Sequence, residues 1–315
     1  MRGPGRTARS GTIDIVITGA NGAVGQGLIR HLGRSSTIVP TRLRALVRSL
    51  ERSHGLRPLD AEVIEVRYGD PASVRACIEG ADAVVHLAGA LLPRPPESLI
   101  EANTDSTRAV AEAARAAGAK HFVYLSFPGA DPASRNGYLR SKGFAEEILR
   151  QKPFSGAIFR VPMILGPGCP SMRKLRQLAG APLTPLVSGG SVRLQPIALA
   201  DVLGAIEWAL SLPPDEPLKV LDLVGPETIS YADLLRRVGQ RVGKRPRIFP
   251  IPRAAGWLTA ALMGLLAPSL GWNRSVFDIL FKEHLGDASL ARAVVPFPLT
   301  PVNETLDQAL SPGAG

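Results

Sequence analysis

The chain has 315 residues, 45% of them apolar and 5% aromatic, enough to bury a large core in one elaborated domain or two tightly joined ones. That composition excludes a disordered chain, a collagen-like chain and a disulfide scaffold. The formal charge is +10, from 37 basic and 27 acidic residues, and most of the surplus lies in the first half: +7 over residues 1–170 against +3 over 171–315.

Residues 1–11 carry Arg2, Arg6 and Arg9 without an apolar run, and are expected to form a disordered tail rather than a signal peptide. Ile13–Thr18 is a β-rich run that ends at Gly19, and predicts a buried parallel strand. Gly25–Gly33 follows with Leu28, Ile29 and Leu32 at helical spacing. Further strands are predicted over Leu43–Val47, Val63–Val66 and Ala83–Leu87. Between the last two, Pro71–Glu79 reads as a helix with Asp70 as N-cap and Pro71 in its first position. A long helix is predicted from Ser98 to Ala117, closed by Gly118. A strand over His121–Leu125, a helix over Tyr138–Arg150 and a strand opening at Ala157–Arg160 complete the alternation. Strands alternating with helices at this pace imply a parallel α/β sheet with right-handed crossovers.

Beyond Gly166 the pattern loosens, with Pro and Gly clustered at 166–170 and 182–190. Gln195–Leu210 reads as a strand end feeding a helix, and Leu218–Val224 as one more sheet strand. Residues 12–165 are therefore expected to form the nucleotide-binding domain, completed by 191–225. Residues 166–190 and 226–315 would form a smaller, interleaved C-terminal substrate lobe.

Thr18-Gly19-Ala20-Asn21-Gly22-Ala23-Val24-Gly25 sits at the first strand-to-helix junction. Gly19 permits the tight turn, Gly22 lets backbone approach a pyrophosphate, and Gly25 lets the helix sit close on the strand. The helix N-terminus offers free N–H groups and a positive dipole end to phosphate. The fold class is thus a Rossmann-type doubly wound parallel sheet. The second strand ends without the acidic residue that holds the ribose of NAD, and carries Arg48 instead. Arg48 would face a 2′-phosphate, which favours NADP(H) over NAD(H). Gly69 and Asp70 suit the adenine edge, and Leu87-Ala88-Gly89 leaves room for the cofactor to pass.

Ser126 closes the fifth strand, and Tyr138 and Lys142 form a YxxxK pair on the next helix. Residues four apart share a helical face, so phenol and ammonium would point together into the crevice. A free Tyr with a pKa near 10 is a poor acid–base group at neutral pH, and a neighbouring cation lowers that value. Ser126 would polarise a substrate carbonyl, and Lys142 would also hold the nicotinamide ribose.

These residues, with Gly69-Asp70, His86–Gly89, Asn103 and the Arg160–Pro167 segment, resemble the short-chain dehydrogenase/reductase superfamily in its extended or atypical branch. The resemblance spans about residues 13 to 310, and is greatest to the group containing the 39-kDa accessory subunit of respiratory complex I. It implies NADPH binding by the glycine turn together with Val161 and Pro162, and a catalytic set of Ser126, Tyr138, Lys142 and Asn103. Asn103 would help organise a proton relay, or would simply brace its helix against sheet backbone. His86 reads as a strand residue. Some members have lost the catalytic residues, whereas Ser, Tyr and Lys are intact here.

The function implied is NADPH-dependent oxidation or reduction of a carbonyl or alcohol on a small, lipophilic substrate. The alternatives are a non-catalytic NADPH-binding subunit of a respiratory or membrane complex, and a nucleotide-sugar epimerase or dehydratase. Cys77 and Cys169 form no metal-ligand spacing and suit a reducing, cytoplasmic setting, and the five His residues show no zinc pattern, so no metal is expected. No nucleic-acid partner is expected, because a dinucleotide accounts for part of the positive charge. Ala254–Trp272 is uncharged, but Pro268 and Gly271 break its end, which predicts core packing, a homodimer face or peripheral membrane contact rather than a span.

Overall fold

In the computed structural model, residues 13–38, 40–92, 97–266 and 274–311 are described. The expected tail and residues 267–272 of the apolar segment lie outside them. The first half alternates as read: β1 (Ile13–Thr18), α1 (Ala23–Leu32), β2 (Pro40–Val47), β3 (Glu62–Glu65), α2 (Pro71–Ile78), β4 (Ala83–His86), α3 (Ser106–Ala116), β5 (His121–Ser126), α4 (Gly137–Arg150) and β6 (Ser155–Arg160). The long helix expected from Ser98 is instead a π-helical segment, Ile100–Asp105, running into α3.

The second half contributes β7 (Ile164–Leu165), α5 (Pro170–Gly180), β8 (Thr184–Val187), β9 (Arg193–Leu194), β10 (Ile197–Ala198), α6 (Leu199–Leu210), β11 (Lys219–Asp222), β12 (Ile229–Ser230), α7 (Tyr231–Arg241), β13 (Ile248–Ile251), α8 (Arg253–Leu266), α9 (Arg274–Phe281), α10 (Ala288–Val294) and α11 (Val302–Leu310). Seven strands form one sheet in the order β11-β6-β5-β4-β1-β2-β3, and every pairing in it is parallel. β11 thus returns from the second half to the β6 edge.

Both sheet faces are covered, which is why the strands read as continuous apolar runs. Alternate residues divide between two cores. Ile15, Ile17, Ala45, Val47, Val85 and Phe159 share one core with residues of α1, α5, α6, α7 and α11. Val16, Leu46, Val84, Phe122, Tyr124 and Ile158 face α2, α3 and α4. Local signals set the ends: Asp70 caps α2 by accepting the Ala72 N–H, and Asn136 caps α4 by accepting the N–H groups of Tyr138 and Leu139.

Candidate functional site: a dinucleotide cleft

Strand order reverses between β1 and β4, so a crevice opens at their C-terminal ends. Three adjoining cavities of about 440, 310 and 180 Å³ line it, and Leu87 borders all three. Gly19, at φ +64°, makes the turn, and a Cβ there would lie 2.8 Å from the Ala88 nitrogen. A Cβ on Gly25 would lie 2.6 Å from the Ala20 backbone, so only glycine lets α1 start this close to β1. Gly22 caps α1 without a side chain, leaving the first-turn N–H groups open to an anion. Ala23, Val24, Gly25 and Pro162 line the same cavity as Gly19 and Gly22. This bare cradle fits a dinucleotide pyrophosphate. A larger cavity of about 620 Å³ lies along α1 and α6, but it shares only Ala23 with the cleft and does not reach Ser126, Tyr138 or Lys142.

The adenosine end is lined by Asn21, Arg48, Arg52, Tyr68, Ala88 and Gly89. Arg48 lies over the Tyr68 ring at 5.7 Å and donates to Glu97 at 2.8 Å. Burial pushes the Tyr68 phenol up to about 12, with a Thr18 hydrogen bond and the Arg48 charge opposing. Gly69 and Asp70 do not line this cavity. Asp70 is occupied in capping α2 and in pairing with Arg67 at 3.3 Å. The wall expected from Asp70 is built by Tyr68, two residues earlier, which the sequence reading passed over.

Thr18 also departs from expectation. It is fully buried, accepts the N–H groups of Leu87 and Ala88, and meets His86 Nδ1 at 2.8 Å. It braces the cleft wall and lines none of the three cavities. His86 is a buried hub, since its Nε2 meets Thr107 Oγ1 at 3.1 Å, and Thr107 donates to the Asn103 carbonyl. Burial, with the Lys142 charge, lowers the His86 pKa to about 3, so the ring stays neutral.

At the reacting end, Ser126, Tyr138, Lys142 and Val161 line one cavity with Leu87 and Gly89. A Cβ on Gly89 would lie 3.3 Å from Lys142 Nζ and 2.7 Å from Asn103 Oδ1. Asn103 does not border this cavity. Its amide bonds both the N–H and the carbonyl of Ala90, so it fixes the loop after β4 and is a positioning residue. Lys142 Nζ donates to Tyr124 Oη at 3.1 Å and to the Leu125 carbonyl at 2.9 Å. Burial lowers its pKa to about 8, against the pull of Glu146. The expected lowering of Tyr138 is not found: burial drives that phenol upward.

Glu146, one further turn along α4, is the residue the sequence reading missed. Its buried carboxylate accepts Ser126 Oγ at 2.6 Å, Arg160 Nε at 2.9 Å and Nη2 at 2.7 Å, and Arg150 Nη2 at 2.9 Å. The YxxxKxxxE spacing was its only signal in the sequence.

The NAD(P)H-binding family model matches residues 19–172. A ceramide reductase of Caulobacter vibrioides is 32% identical over 266 residues, covering 84% of this chain and 81% of the relative. Subunit 9 of the NADH dehydrogenase 1 alpha subcomplex from Mus musculus is 26% identical over 287 residues, covering 90% of this chain and 74% of that one. Among solved structures, Citrobacter triphenylmethane reductase with NADP(H) is similar at TM-score 0.71 and 21% identity, over 94% of this chain and all of the other. The chain belongs to the NAD(P)H-binding, reductase-like family that includes that ceramide reductase.

Proposed function

We propose that the protein is an NADPH-dependent reductase acting on the carbonyl of a lipophilic substrate of the ceramide class. The observation that carries this reading is the single cavity bordered by Ser126, Tyr138 and Lys142 beside the glycine cradle. The substrate class follows the 32% identical relative, by name a ceramide reductase. Arg48 and Arg52 at the adenosine end support the choice of NADPH.

A bound reduced nicotinamide supplies the hydride. The chain's own residues handle the oxygen and its proton. Tyr138, kept protonated by burial, suits the acid that gives its proton to the carbonyl oxygen, which supports reduction over oxidation. Ser126 gives its one proton to Glu146, so steadying an oxyanion requires its hydroxyl to turn toward substrate. The paired bonds from Arg160 keep Glu146 satisfied when it does. Lys142, anchored by Tyr124 and Leu125, presents a cation to the same cavity.

One observation favours a non-catalytic NADPH-binding subunit instead: the Lys142 ammonium is bonded to Tyr124 and Leu125, not to Tyr138. Cofactor titration followed by long-chain ketones in micelles separates the readings. Catalysis predicts that Tyr138→Phe loses roughly 100-fold or more in kcat with NADPH affinity kept. NADPH binding with no Tyr138-dependent turnover supports the subunit reading and overturns ours.

A further inference from the structure

The helix α8 has the sequence RAAGWLTAALMGLL, with its one charge in the first position. At fourteen residues it is about 21 Å long, short of the roughly 30 Å hydrocarbon core of a bilayer. Among the described residues, no helix is long and apolar enough to cross a membrane. A helix apolar on all sides is normally buried. Residues 253–259 span nearly two turns, yet all are exposed except Gly256, which is half-buried against Val187 and Phe277. Trp257 is 42% exposed and Leu258 55%. Leu183, just before β8, adds 56% exposure and Phe249 on the paired β13 adds 54%.

The chain that carries this surface is basic between Asp233 and Asp278. Residues 234–277 contain eight basic residues and no acidic one. Lys244, Arg245, Arg247 and Arg253 are exposed and form no ion pair among the described residues. Exposed apolar side chains on a segment with exposed, unpaired cations are complementary to an anionic membrane surface. A symmetric contact with a second copy would set these cations against one another.

The surface also adjoins the site. α9 packs against α8, and Ser275 at its start accepts a hydrogen bond from Asn136, the cap of α4, which carries Tyr138. We propose that α8, with the β8–β13 ribbon, docks the protein on an anionic lipid bilayer. The docking deepens the lipid-reductase reading, because substrate would then be drawn from the membrane beside the catalytic helix.

The test is co-sedimentation of the full chain with phosphatidylcholine vesicles, with and without phosphatidylglycerol. Binding is expected only with the anionic lipid, and weakening as salt rises. Each cation near such a surface is worth about fivefold, so Arg245→Glu with Arg247→Glu should weaken binding by roughly tenfold or more. Trp257→Glu with Leu258→Glu should do the same through the apolar wedge, and both variants should keep wild-type NADPH affinity. The proposal is overturned if the wild type ignores anionic vesicles, or if both variants sediment like the wild type. It is equally overturned if Trp257→Glu with Leu258→Glu turns a dimer into a monomer while no form binds vesicles. Vesicle binding is read without turnover, so its failure is distinguishable from failure of the reductase reading.

Discussion

Replacing Glu146 by Gln should disturb both stability and the charge on Lys142. The carboxylate is 2% exposed and accepts four hydrogen bonds, all from Ser126, Arg150 and Arg160. The amide turns one acceptor oxygen into a donor and removes the charge facing two guanidinium groups. Breaking a buried pair costs about 3–5 kcal/mol, and Arg160 is 24% exposed, so water relieves part of that and roughly 2–3 kcal/mol is expected. In a chain this long, that amounts to about 3–5 °C in Tm. The Glu146 charge also opposes the burial that lowers Lys142 to about 8. At an effective dielectric of about 20, unit charges a helical turn or two apart attract by roughly 1–4 kcal/mol, and the two arginines cancel part of that pull. The Lys142 pKa should fall further, by roughly one unit. Thermal unfolding and NADPH fluorescence titration across pH would measure both effects. An unchanged Tm together with an unmoved alkaline limb of NADPH binding would overturn this expectation.

Three further outcomes follow from the geometry. Gly25→Ala should cost about 1–3 kcal/mol and weaken NADPH binding, because its Cβ meets Ala20 backbone at 2.6 Å; calorimetric titration giving wild-type affinity would contradict the cradle. Arg48→Ala should weaken NADPH roughly 10- to 100-fold and leave NADH within about twofold, as a charge-assisted bond to the 2′-phosphate is worth about 1.5–3 kcal/mol. Its exposed pair with Glu97 is cheap to exchange, and equal losses for both cofactors would count against the assignment. Lys142 has a folded pKa of about 8 against an ordinary 10.5, so between those values the unfolded chain binds more protons. Wild-type stability should therefore rise relative to Lys142→Met as pH climbs from about 8 to 10.5, and a flat difference in Tm over that window would sink the claim.

The cradle was legible because its determinants are neighbours along the chain. A β-rich run, three glycines and a helix start decide the turn through local backbone geometry. The same locality made Asp70, Pro71 and Gly118 readable as helix boundaries. Arg48 was legible by position, since it follows directly from the second strand.

Other parts depended on distances the chain does not encode locally. Thr18 and His86 are 68 residues apart, Ser126 and Glu146 twenty, and Lys142 and Tyr124 eighteen. Tyr138 and Lys142 share a helical face, as their spacing required, but strand β5 supplies Tyr124, and the ammonium bonds to that phenol instead. Asp70 was expected at the adenine edge, and its carboxylate caps its own helix without lining that cavity. The elements, the glycine turn and the Ser, Tyr and Lys that line one cavity were readable in the chain, because hydrophobic period and turn chemistry act between residues close in sequence. Which polar groups pair, which charges are desolvated and which apolar side chains stay exposed depend on segments that meet only when the sheet closes.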